Sequence, residues 1–319
     1  MINILITGGA GFLASSLAEK LLDKEDYFLV LVDNLLTGDS RKIPVHPRCK
    51  FIRCDVNNYK DIVAVMTSYR FDYVYHYAAV VGVARTLENP VSVLKDIEGI
   101  RNILDLCKNT GVNRVFYTSS SEVYGEPVSL PQNEQTTPLN SRLPYAVVKN
   151  IGEAFCRSYK QEYRLDFTIF RFFNTYGPRQ SVDFVMSKFL RAALKGETIP
   201  IYGRGNQTRT FCYVDDNVES IVNAMEKNLF INDVVNIGNM EEVTILHLAQ
   251  LIVSIVGSSS QIEFLPPLKE GDMSRRQPDI TKMKQLLDRD FTKLEEGIKK
   301  VYSSDLFKRL NNTEYVSFK

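Results

Sequence analysis

The sequence predicts an α/β protein with a doubly wound parallel sheet and a smaller carboxy-terminal lobe. Two observations predict the sheet. Short apolar runs rich in Val, Ile, Phe and Tyr alternate with amphipathic stretches up to residue 170, and a glycine-rich turn follows the first run. Such runs are typical of strands buried on both faces. Strand–helix–strand repeats imply right-handed crossovers and parallel pairing.

The predicted elements divide the chain into three parts. In the first part the strands are 3–6, 28–32, 51–53, 73–75, 115–118 and 167–170, and the helices are 12–22, 61–68, 91–108 and 146–162. Beyond Asn174 the strands are 198–202 and 261–265, and the helices are 185–195, 214–227 and 246–255. We expect a domain at 1–174 to which some later segments return, a lobe at 175–304, and a polar tail at 305–319. The lobe should lie at the carboxyl ends of the strands, where open α/β sheets bind ligands.

Composition excludes several classes of protein. The 319 residues are 44% hydrophobic and 24% charged, which is ordinary for a soluble globular protein. Lys and Arg total 39 against 38 Asp and Glu, so no overall field would attract nucleic acid or an acidic membrane. The five cysteines are scattered and the three histidines show no ligand spacing, so we predict reduced thiols and no metal site. No apolar run approaches the ~20 residues of a membrane span. The first strand leaves no room for a signal peptide, and we expect a cytoplasmic protein.

The glycine-rich turn indicates a dinucleotide site of the Rossmann type. Residues 7–14 read Thr-Gly-Gly-Ala-Gly-Phe-Leu-Ala, between a strand and a helix. Glycine lets the turn tighten and the backbone approach a pyrophosphate, while the helix start offers free N–H groups. Ala14 stands where a third glycine is often found, and it is small enough for close packing. The expected cofactor contacts here are Gly8, Gly11, Phe12 and Leu13.

Two carboxylates at strand ends extend this site. Asp33 ends the second strand, where an acid accepts hydrogen bonds from the adenosine ribose and repels a 2′-phosphate. Because Asn34 and the two leucines after it supply no cation, NAD is favoured over NADP. Asp55 follows the third strand and either receives the adenine amino group or caps the next helix.

Tyr145 and Lys149 form the candidate catalytic pair. They lie four residues apart, on one face of a predicted helix. A tyrosine acting as a base near pH 7 needs its pKa lowered by ~3 units, or ~4 kcal/mol, and a fixed positive charge beside the ring supplies part of this. Tyr315 and Lys319 share the spacing, but in the polar tail. Tyr145 instead follows a hydroxyl-rich strand end, Thr-Ser-Ser-Ser-Glu-Val-Tyr-Gly at 118–125.

Together the motifs resemble those of the extended short-chain dehydrogenases, a family that includes nucleotide-sugar epimerases, dehydratases and decarboxylases. The resemblance covers nearly the whole chain. Its motifs are the glycine turn, Asp33-Asn34, His-Tyr-Ala-Ala at 76–79, the 119–125 segment, Tyr145 with Lys149, Arg-Phe-Phe-Asn at 171–174, the 202–211 segment, Asn-Ile-Gly-Asn at 236–239 and Arg-Arg-Gln-Pro-Asp at 275–279. The resemblance completes the NAD site with Val56, Ala78 and Ala79.

The resemblance also implies catalytic roles. Tyr145 takes the proton of a sugar hydroxyl, Lys149 binds the nicotinamide ribose and lowers the Tyr145 pKa, and Ser120 hydrogen-bonds the reacting hydroxyl. Hydride transfer from C4 then gives a 4-keto sugar. Glu122 would remove the C5 proton, unless it is a solvated loop carboxylate or a helix cap. Ser121 stands where dTDP-glucose dehydratases carry an Asp, while GDP-mannose dehydratases and UDP-glucuronate decarboxylases resemble the Ser-Glu pairing.

The substrate site expected from the resemblance contains Asn174, Lys188, Arg209 and Arg276. Two phosphates need cations or forked N–H donors, which Arg provides, although a single Lys or Arg is more often a solvated surface charge. The chain departs from the family at two places. Asp96 replaces the usual Asn of an Asn-x-x-Gly motif, and 79–83 lack the Ser-Pro-rich loop associated with the decarboxylases.

These observations favour an enzyme that oxidises C4 of a nucleotide-diphosphate sugar with NAD and then epimerises, dehydrates or releases the keto sugar. The alternative is a UDP-glucuronate-type decarboxylase in which Arg276 helps to hold the C6 carboxylate. A remote alternative is a non-catalytic dinucleotide sensor, which would not need the tyrosine, lysine and serine set. We also expect a homodimer through helices 91–108 and 146–162. Their outward faces are expected to carry Ile100, Leu104, Ile151 and Phe155.

Overall fold

A seven-stranded parallel sheet forms the centre of the computed structural model, which describes residues 1–82, 86, 88–267 and 275–311. The strands of the protein are β1 Ile2–Thr7, β2 Tyr27–Asp33, β3 Cys49–Arg53, β4 Tyr73–His76, β5 Arg114–Ser120, β6 Asp166–Phe172, β7 Thr175–Tyr176, β8 Ile199–Tyr202, β9 Thr208–Thr210, β10 Cys212–Tyr213, β11 Asp233–Ile237, β12 Glu242–Thr244 and β13 Ile262–Leu265. The order in the large sheet is β11-β6-β5-β4-β1-β2-β3. The predicted doubly wound α/β fold is confirmed, and every predicted strand up to residue 170 lies within an observed one.

Helices cover both faces of this sheet. They are α1 Phe12–Leu22, α2 Tyr59–Ser68, α3 Pro90–Leu94, α4 Asp96–Thr110, α5 Pro144–Tyr163, α6 Val185–Lys195, α7 Val214–Glu226, α8 Ile245–Val256, α9 Thr281–Lys284, α10 Leu294–Ser303 and α11 Asp305–Asn311. One buried apolar cluster joins the sheet to α1 and α7, and a second joins it to α2, α4 and α5. The continuous helix predicted at 91–108 is wrong, because a turn at Lys95 separates α3 from α4.

The strands after Asn174 belong either to the large sheet or to smaller strand pairs. β11 joins the edge of the large sheet beside β6. Three two-stranded units stand apart from it: β7 with β10, β8 with β13, and β9 with β12. Within the described residues no helix is long and apolar enough to cross a membrane.

The chain after Asp305 differs from the expected polar tail. Residues Asp305–Asn311 form α11, whose Phe307 and Leu310 side chains are buried in the core. The sparse apolar residues of this segment fall at helical spacing and face one direction, so its overall polarity concealed an amphipathic helix. Tyr315 and Lys319 lie outside the described residues.

Two of the four side chains expected on an outward helix face point inward. Ile100 and Leu104 of α4 are buried in the core cluster of a single chain. Ile151 and Phe155 of α5 are partly exposed. The expectation was wrong for Ile100 and Leu104, because α4 turns its apolar stripe to the sheet. The homodimer stays a prediction.

Candidate active site

A cleft of about 570 Å³ opens at the carboxyl ends of the central parallel strands. The glycine turn after β1, the ends of β2, β4 and β5, and the start of α5 all contribute to it. Most of the predicted site residues line this one cleft: Gly8, Gly11, Phe12, Leu13, Asp33, Asn34, Asp55, Val56, Ala78, Ala79, Ser120, Ser121, Glu122, Tyr145, Lys149, Asn174 and Arg276.

Lys188 and Arg209 do not line the cleft. The Lys188 ammonium lies 5.5 Å from the centre of the Tyr202 ring. Arg209 is buried, and its Nη1 donates to the carbonyl of Thr208 at 2.7 Å. Lys188 lies on α6, whose Met186 lines the cleft. Arg209 lies on β9, two residues before Phe211, which also lines the cleft. Their role in substrate binding stays a prediction.

The glycine turn fits a pyrophosphate. Gly8 has a φ of +67°, and a Cβ there would lie 2.8 Å from the backbone nitrogen of Ala78, so only glycine fits. The Gly11 N–H donates to the Gly8 carbonyl at 2.9 Å and closes the turn. Gly11 then caps α1 without a side chain, which leaves the first N–H groups of the helix available to an anion.

Asp33 is held at the end of β2 by two backbone donors. Its Oδ2 accepts from Ala10 N at 3.0 Å, and its Oδ1 accepts from Leu35 N at 2.7 Å. Burial raises the pKa of this carboxyl against these hydrogen bonds. The sequence prediction overlooked Lys42, a buried cation that also interacts with Asp33, but this residue does not line the cleft. The fixed carboxylate keeps lone pairs for ribose hydroxyls.

Asp55 does not cap the following helix. Its Oδ1 accepts from Asn57 N at 2.9 Å within the turn, whereas Asn58 caps α2 by accepting from Lys60 N. The capping alternative for Asp55 is therefore wrong. Asp55 and Val56 both face the cleft beside the end of β3, as the contact with adenine requires.

Tyr145, Ser120 and Lys149 meet at the end of β5. The Ser120 hydroxyl lies close enough to Tyr145 to lower the pKa of its phenol. The Lys149 Nζ lies 5.7 Å from the centre of the Tyr145 ring and donates to the carbonyl of Thr118 at 2.8 Å. Ser120 Oγ also accepts from Glu122 N at 3.2 Å, which fixes the serine at the start of the 3-10 turn Ser121–Tyr124.

The pKa of Tyr145 differs from the sequence prediction, in which Lys149 lowers it. Burial raises the pKa of Tyr145, and the Glu122 carboxylate raises it further, while the hydrogen bond with Ser120 lowers it. Burial lowers the pKa of Lys149 to about 8. The expected lowering of the Tyr145 pKa by Lys149 is outweighed by burial, and the Lys149 ammonium donates to the Thr118 carbonyl.

His76 holds the end of β4 against the glycine turn. The Thr7 hydroxyl accepts from Tyr77 N and Ala78 N, each at 3.1 Å, so its own proton points to His76 Nδ1 at 2.9 Å. Burial lowers the pKa of His76 to about 3. The ring is therefore neutral at physiological pH and acts as a structural acceptor.

Glu122 and Arg276 form an ion pair in the cleft. Both guanidinium Nη atoms lie 3.4 Å from Glu122 Oε1, and Arg276 is buried. Gln132 makes backbone hydrogen bonds with Gln277 and Asp279. These bonds hold the segment that carries Arg276 beside the segment that follows β5. Glu122 is thus neither a solvated loop carboxylate nor a helix cap, and Arg276 is not a solvated surface charge.

A buried charge network under the cleft was missed by the sequence prediction. Ser119 Oγ donates to Glu153 Oε1 at 2.7 Å, and Arg171 donates to both oxygens of Glu153 at 2.8 and 2.7 Å. Arg171 Nη1 also donates to the Tyr124 hydroxyl at 2.9 Å. Glu153 lies on α5 at helical spacing from Tyr145 and Lys149, and this spacing is the signal that could have identified it.

The NAD dependent epimerase/dehydratase family matches residues 4–238. This chain belongs to that family. It is an NAD-dependent enzyme of the extended short-chain dehydrogenase type, as the sequence resemblance implied, and the remote sensor alternative is set aside. The glycine turn and Asp33 fit the cofactor.

Two relatives and two solved structures are similar to this chain over nearly its whole length. It is 39% identical to UDP-glucuronic acid decarboxylase 1 of Danio rerio, over 97% of this chain and 75% of that protein. It is 36% identical to UDP-glucuronic acid decarboxylase 3 of Arabidopsis thaliana, over 97% and 90%. It is similar to the UDP-glucose 4-epimerase of Thermotoga maritima, with a TM-score of 0.90, 32% identity and coverage of 97% and 99%. It is also similar to the UDP-glucuronic acid 4-epimerase of Bacillus cereus, solved with UDP-glucuronic acid and NAD, with a TM-score of 0.88, 31% identity and coverage of 97% and 100%.

Proposed function

We propose that this enzyme decarboxylates a UDP-linked uronic acid through oxidation at C4. The observation that carries the proposal is the buried Arg276, which faces Glu122 at 3.4 Å in the cleft that also contains Tyr145 and Ser120. The similarity to UDP-glucuronic acid decarboxylases over 97% of the chain supports it. The alternative reading of the sequence thus replaces epimerisation, dehydration or release as the preferred reaction.

The first half-reaction uses Tyr145 and Ser120. The sugar C4 hydroxyl takes a place within hydrogen-bond reach of both hydroxyls, and its proton passes to the phenolate of Tyr145. When bound, NAD would supply the hydride acceptor and a positive charge. Burial and Glu122 both raise the Tyr145 pKa, so Tyr145 would need such a positive charge to act as a base. Lys149 stays on the Thr118 carbonyl, with donors left for ribose hydroxyls.

The second half-reaction breaks the C5–C6 bond. A ketone at C4 makes the C6 carboxylate a β-keto acid, so its loss as carbon dioxide leaves the electron pair in a C4–C5 enolate. A proton is then added at C5, and the C4 ketone is reduced again, so the cofactor is unchanged overall. Arg276 supplies the forked donors that orient the carboxylate. The proton for C5 comes from solvent, and Glu122, on the same guanidinium, would relay it by first taking up a proton from water.

A second candidate is a 4-epimerase of the same uronate. It is favoured by the likeness to the UDP-glucuronic acid 4-epimerase of Bacillus cereus and by the lack of a Ser-Pro-rich loop at 79–83. The same residues would perform the first half-reaction. The carboxylate would then be retained, and the ketone reduced on its opposite face.

Product analysis of the purified enzyme with NAD and UDP-glucuronate tests the proposal. We expect one carbon dioxide and one UDP-pentose per substrate, and no turnover of UDP-glucose. Arg276→Ala should lower the rate with UDP-glucuronate by about 10²-fold, since removing one partner of a buried charge pair costs about 2–5 kcal/mol.

Arg275→Ala is the matched control. Arg275 is half exposed and pairs with Glu242 instead, so its loss should leave the rate within about threefold of wild type. A six-carbon product that keeps its carboxylate would refute decarboxylation and favour the epimerase.

A further inference from the structure

The phenol of Tyr124 lies beneath the cleft, at the end of the 3-10 turn that carries Glu122. The residue is 1% exposed, and its hydroxyl makes two hydrogen bonds. Arg171 Nη1 donates to this hydroxyl at 2.9 Å, and the hydroxyl donates to Asn236 Oδ1 at 2.8 Å. Burial raises the pKa of Tyr124 to about 12, so the hydroxyl keeps the proton that it donates. None of the reaction steps described above uses this group.

Asn236 joins the Tyr124 hydroxyl to the segment that carries Arg276. It lies on β11 and is fully buried. Its Nδ2 donates to the Gln132 carbonyl at 2.9 Å and to the Asp279 carbonyl at 3.3 Å. Because the amide nitrogen faces these carbonyls, the amide oxygen faces Tyr124, and the orientation of the side chain is fixed. We call this connection the Tyr124–Asn236 bridge.

Short hydrogen-bonded segments join both ends of the bridge to the ion pair of Glu122 with Arg276. On one side, the Gly125 N–H donates to the Glu122 carbonyl at 3.1 Å and closes the turn. On the other side, the Gln132 N–H donates at 2.7 Å to the carbonyl of Gln277, the residue directly after the arginine. The positions of both charged side chains therefore depend on where the bridge holds their segments.

The bridge is also connected to α5, the helix that carries Tyr145. Arg171 donates to both carboxylate oxygens of Glu153 on this helix, at 2.8 and 2.7 Å. The guanidinium carbon of Arg171 lies 4.9 Å from the centre of the Tyr124 ring. The ion pair and the tyrosine that would take the C4 proton are thus held by one buried hydrogen-bond network.

We propose that the Tyr124–Asn236 bridge positions Arg276 for binding the carboxylate of the substrate. Neither residue of the bridge lines the cleft, so both act through the arginine. The inference rests on the proposed function, because it takes Arg276 to bind the C6 carboxylate. A guanidinium binds a carboxylate through charge-assisted hydrogen bonds whose strength depends on geometry. A shift of the arginine segment therefore weakens the contact with the carboxylate and spares the contacts with the nucleotide.

The experiment compares the binding of UDP-glucuronate with that of UDP-xylose, which differs from it only by the missing carboxyl group. Both are titrated by calorimetry into NAD-loaded enzyme carrying Tyr145→Phe, a background in which turnover does not consume the ligand. In this background we expect UDP-glucuronate to bind more tightly, because only this ligand offers a carboxylate to Arg276. Adding Tyr124→Phe should lower the preference by about tenfold, roughly the loss of one hydrogen bond to a charged group. The affinity for UDP-xylose should be unchanged.

Tyr75→Phe in the same background is the matched control. Tyr75 is a fully buried tyrosine of β4, and within the described part of the chain its hydroxyl has no hydrogen-bond partner. The substitution removes the same atom from the protein interior without breaking a bridge. The preference for UDP-glucuronate should therefore equal that of the background.

A Tyr124→Phe protein that keeps the full preference for UDP-glucuronate would overturn the proposal. An equal loss of affinity for both ligands would overturn it too, because that is the result of a merely structural role. If Tyr124→Phe does not fold, Asn236→Ser breaks the bridge from its other end: a lowered preference in that variant supports the proposal, and an unchanged one refutes it. A background protein that binds both ligands equally would refute the carboxylate contact of the proposed function itself, so the two failures are distinguishable.

Discussion

At the scale of single residues, burial and nearby groups set the pKa values of the ionisable side chains in the site. Tyr145 has a raised pKa because it is buried close to Glu122, and Lys149 has a lowered one because it is buried. Because burial and Glu122 both disfavour the phenolate, Tyr145 needs a nearby positive charge to act as a base. Asp33 works differently, since its two backbone donors fix its position whatever occupies the cleft.

Tyr145→Phe tests the residue scale. It removes the proton acceptor and leaves the ring that packs in the cleft, so NAD affinity should stay within about threefold of wild type while turnover falls by about 10²-fold or more. Calorimetry with NAD and a product assay measure the two quantities. Turnover close to wild type would exclude the tyrosine from the mechanism.

Asp33→Ala tests cofactor choice at the same scale. Loss of the carboxylate removes acceptors for the ribose hydroxyls and a repulsive charge, so NAD should bind more weakly and the preference over NADP should narrow. Binding titrations with the two dinucleotides measure this. Equal affinity of the wild type for NAD and NADP would contradict the assignment.

At the scale of elements, α5 connects the cleft to the core beneath it. Tyr145 and Lys149 reach the cleft from its first turns, and Glu153, one turn further, joins Ser119 of β5 to Arg171 of β6. The network fixes the end of β5, where Ser120 lies. Because Arg171 and Glu153 are both fully buried, each is stable there only in the presence of the other.

Glu153→Gln tests this connection. It leaves the Arg171 guanidinium buried without a counter-charge, so the free energy of unfolding should fall by about 3–5 kcal/mol. Arg157→Ala removes the half-exposed partner of the same carboxylate and should cost less than about 1 kcal/mol. Urea denaturation of both variants measures the difference. Equal losses of unfolding free energy in the two variants would show that the buried pair contributes no more to stability than the half-exposed one.

At the scale of the whole molecule, periodicity predicted the elements well and the pairing of side chains poorly. Buried strands appear in the sequence as apolar runs, which is why β1 to β6 were predicted correctly. The glycine turn and Asp33 were identified because each lies at the end of such a strand. The pair Glu122–Arg276 joins residues 154 positions apart, and no local pattern encodes such a contact. The family resemblance brought Arg276 into the site, but only the fold shows which carboxylate it meets.

The carboxy-terminal helix α11 supplies a further test at this scale. Phe307 is fully buried, so Phe307→Ala should lower the free energy of unfolding by about 3–5 kcal/mol through the cavity it leaves. Arg309→Ala, on the exposed side of the same helix, should change it by less than about 0.5 kcal/mol. A negligible effect of Phe307→Ala in thermal denaturation would mean that α11 is not part of the core.

The most direct measurement of the central claim follows the atoms of UDP-glucuronate that carries deuterium at C4. The enzyme with NAD is incubated with this substrate in ordinary water, and the nucleotide sugar is examined by mass spectrometry and NMR. Oxidation and re-reduction at C4 with decarboxylation between them predict a UDP-pentose that keeps its C4 deuterium, takes a solvent proton at C5 and has lost C6 as carbon dioxide. A six-carbon uronate with inverted C4, or a product that has lost the deuterium to water, would contradict the account.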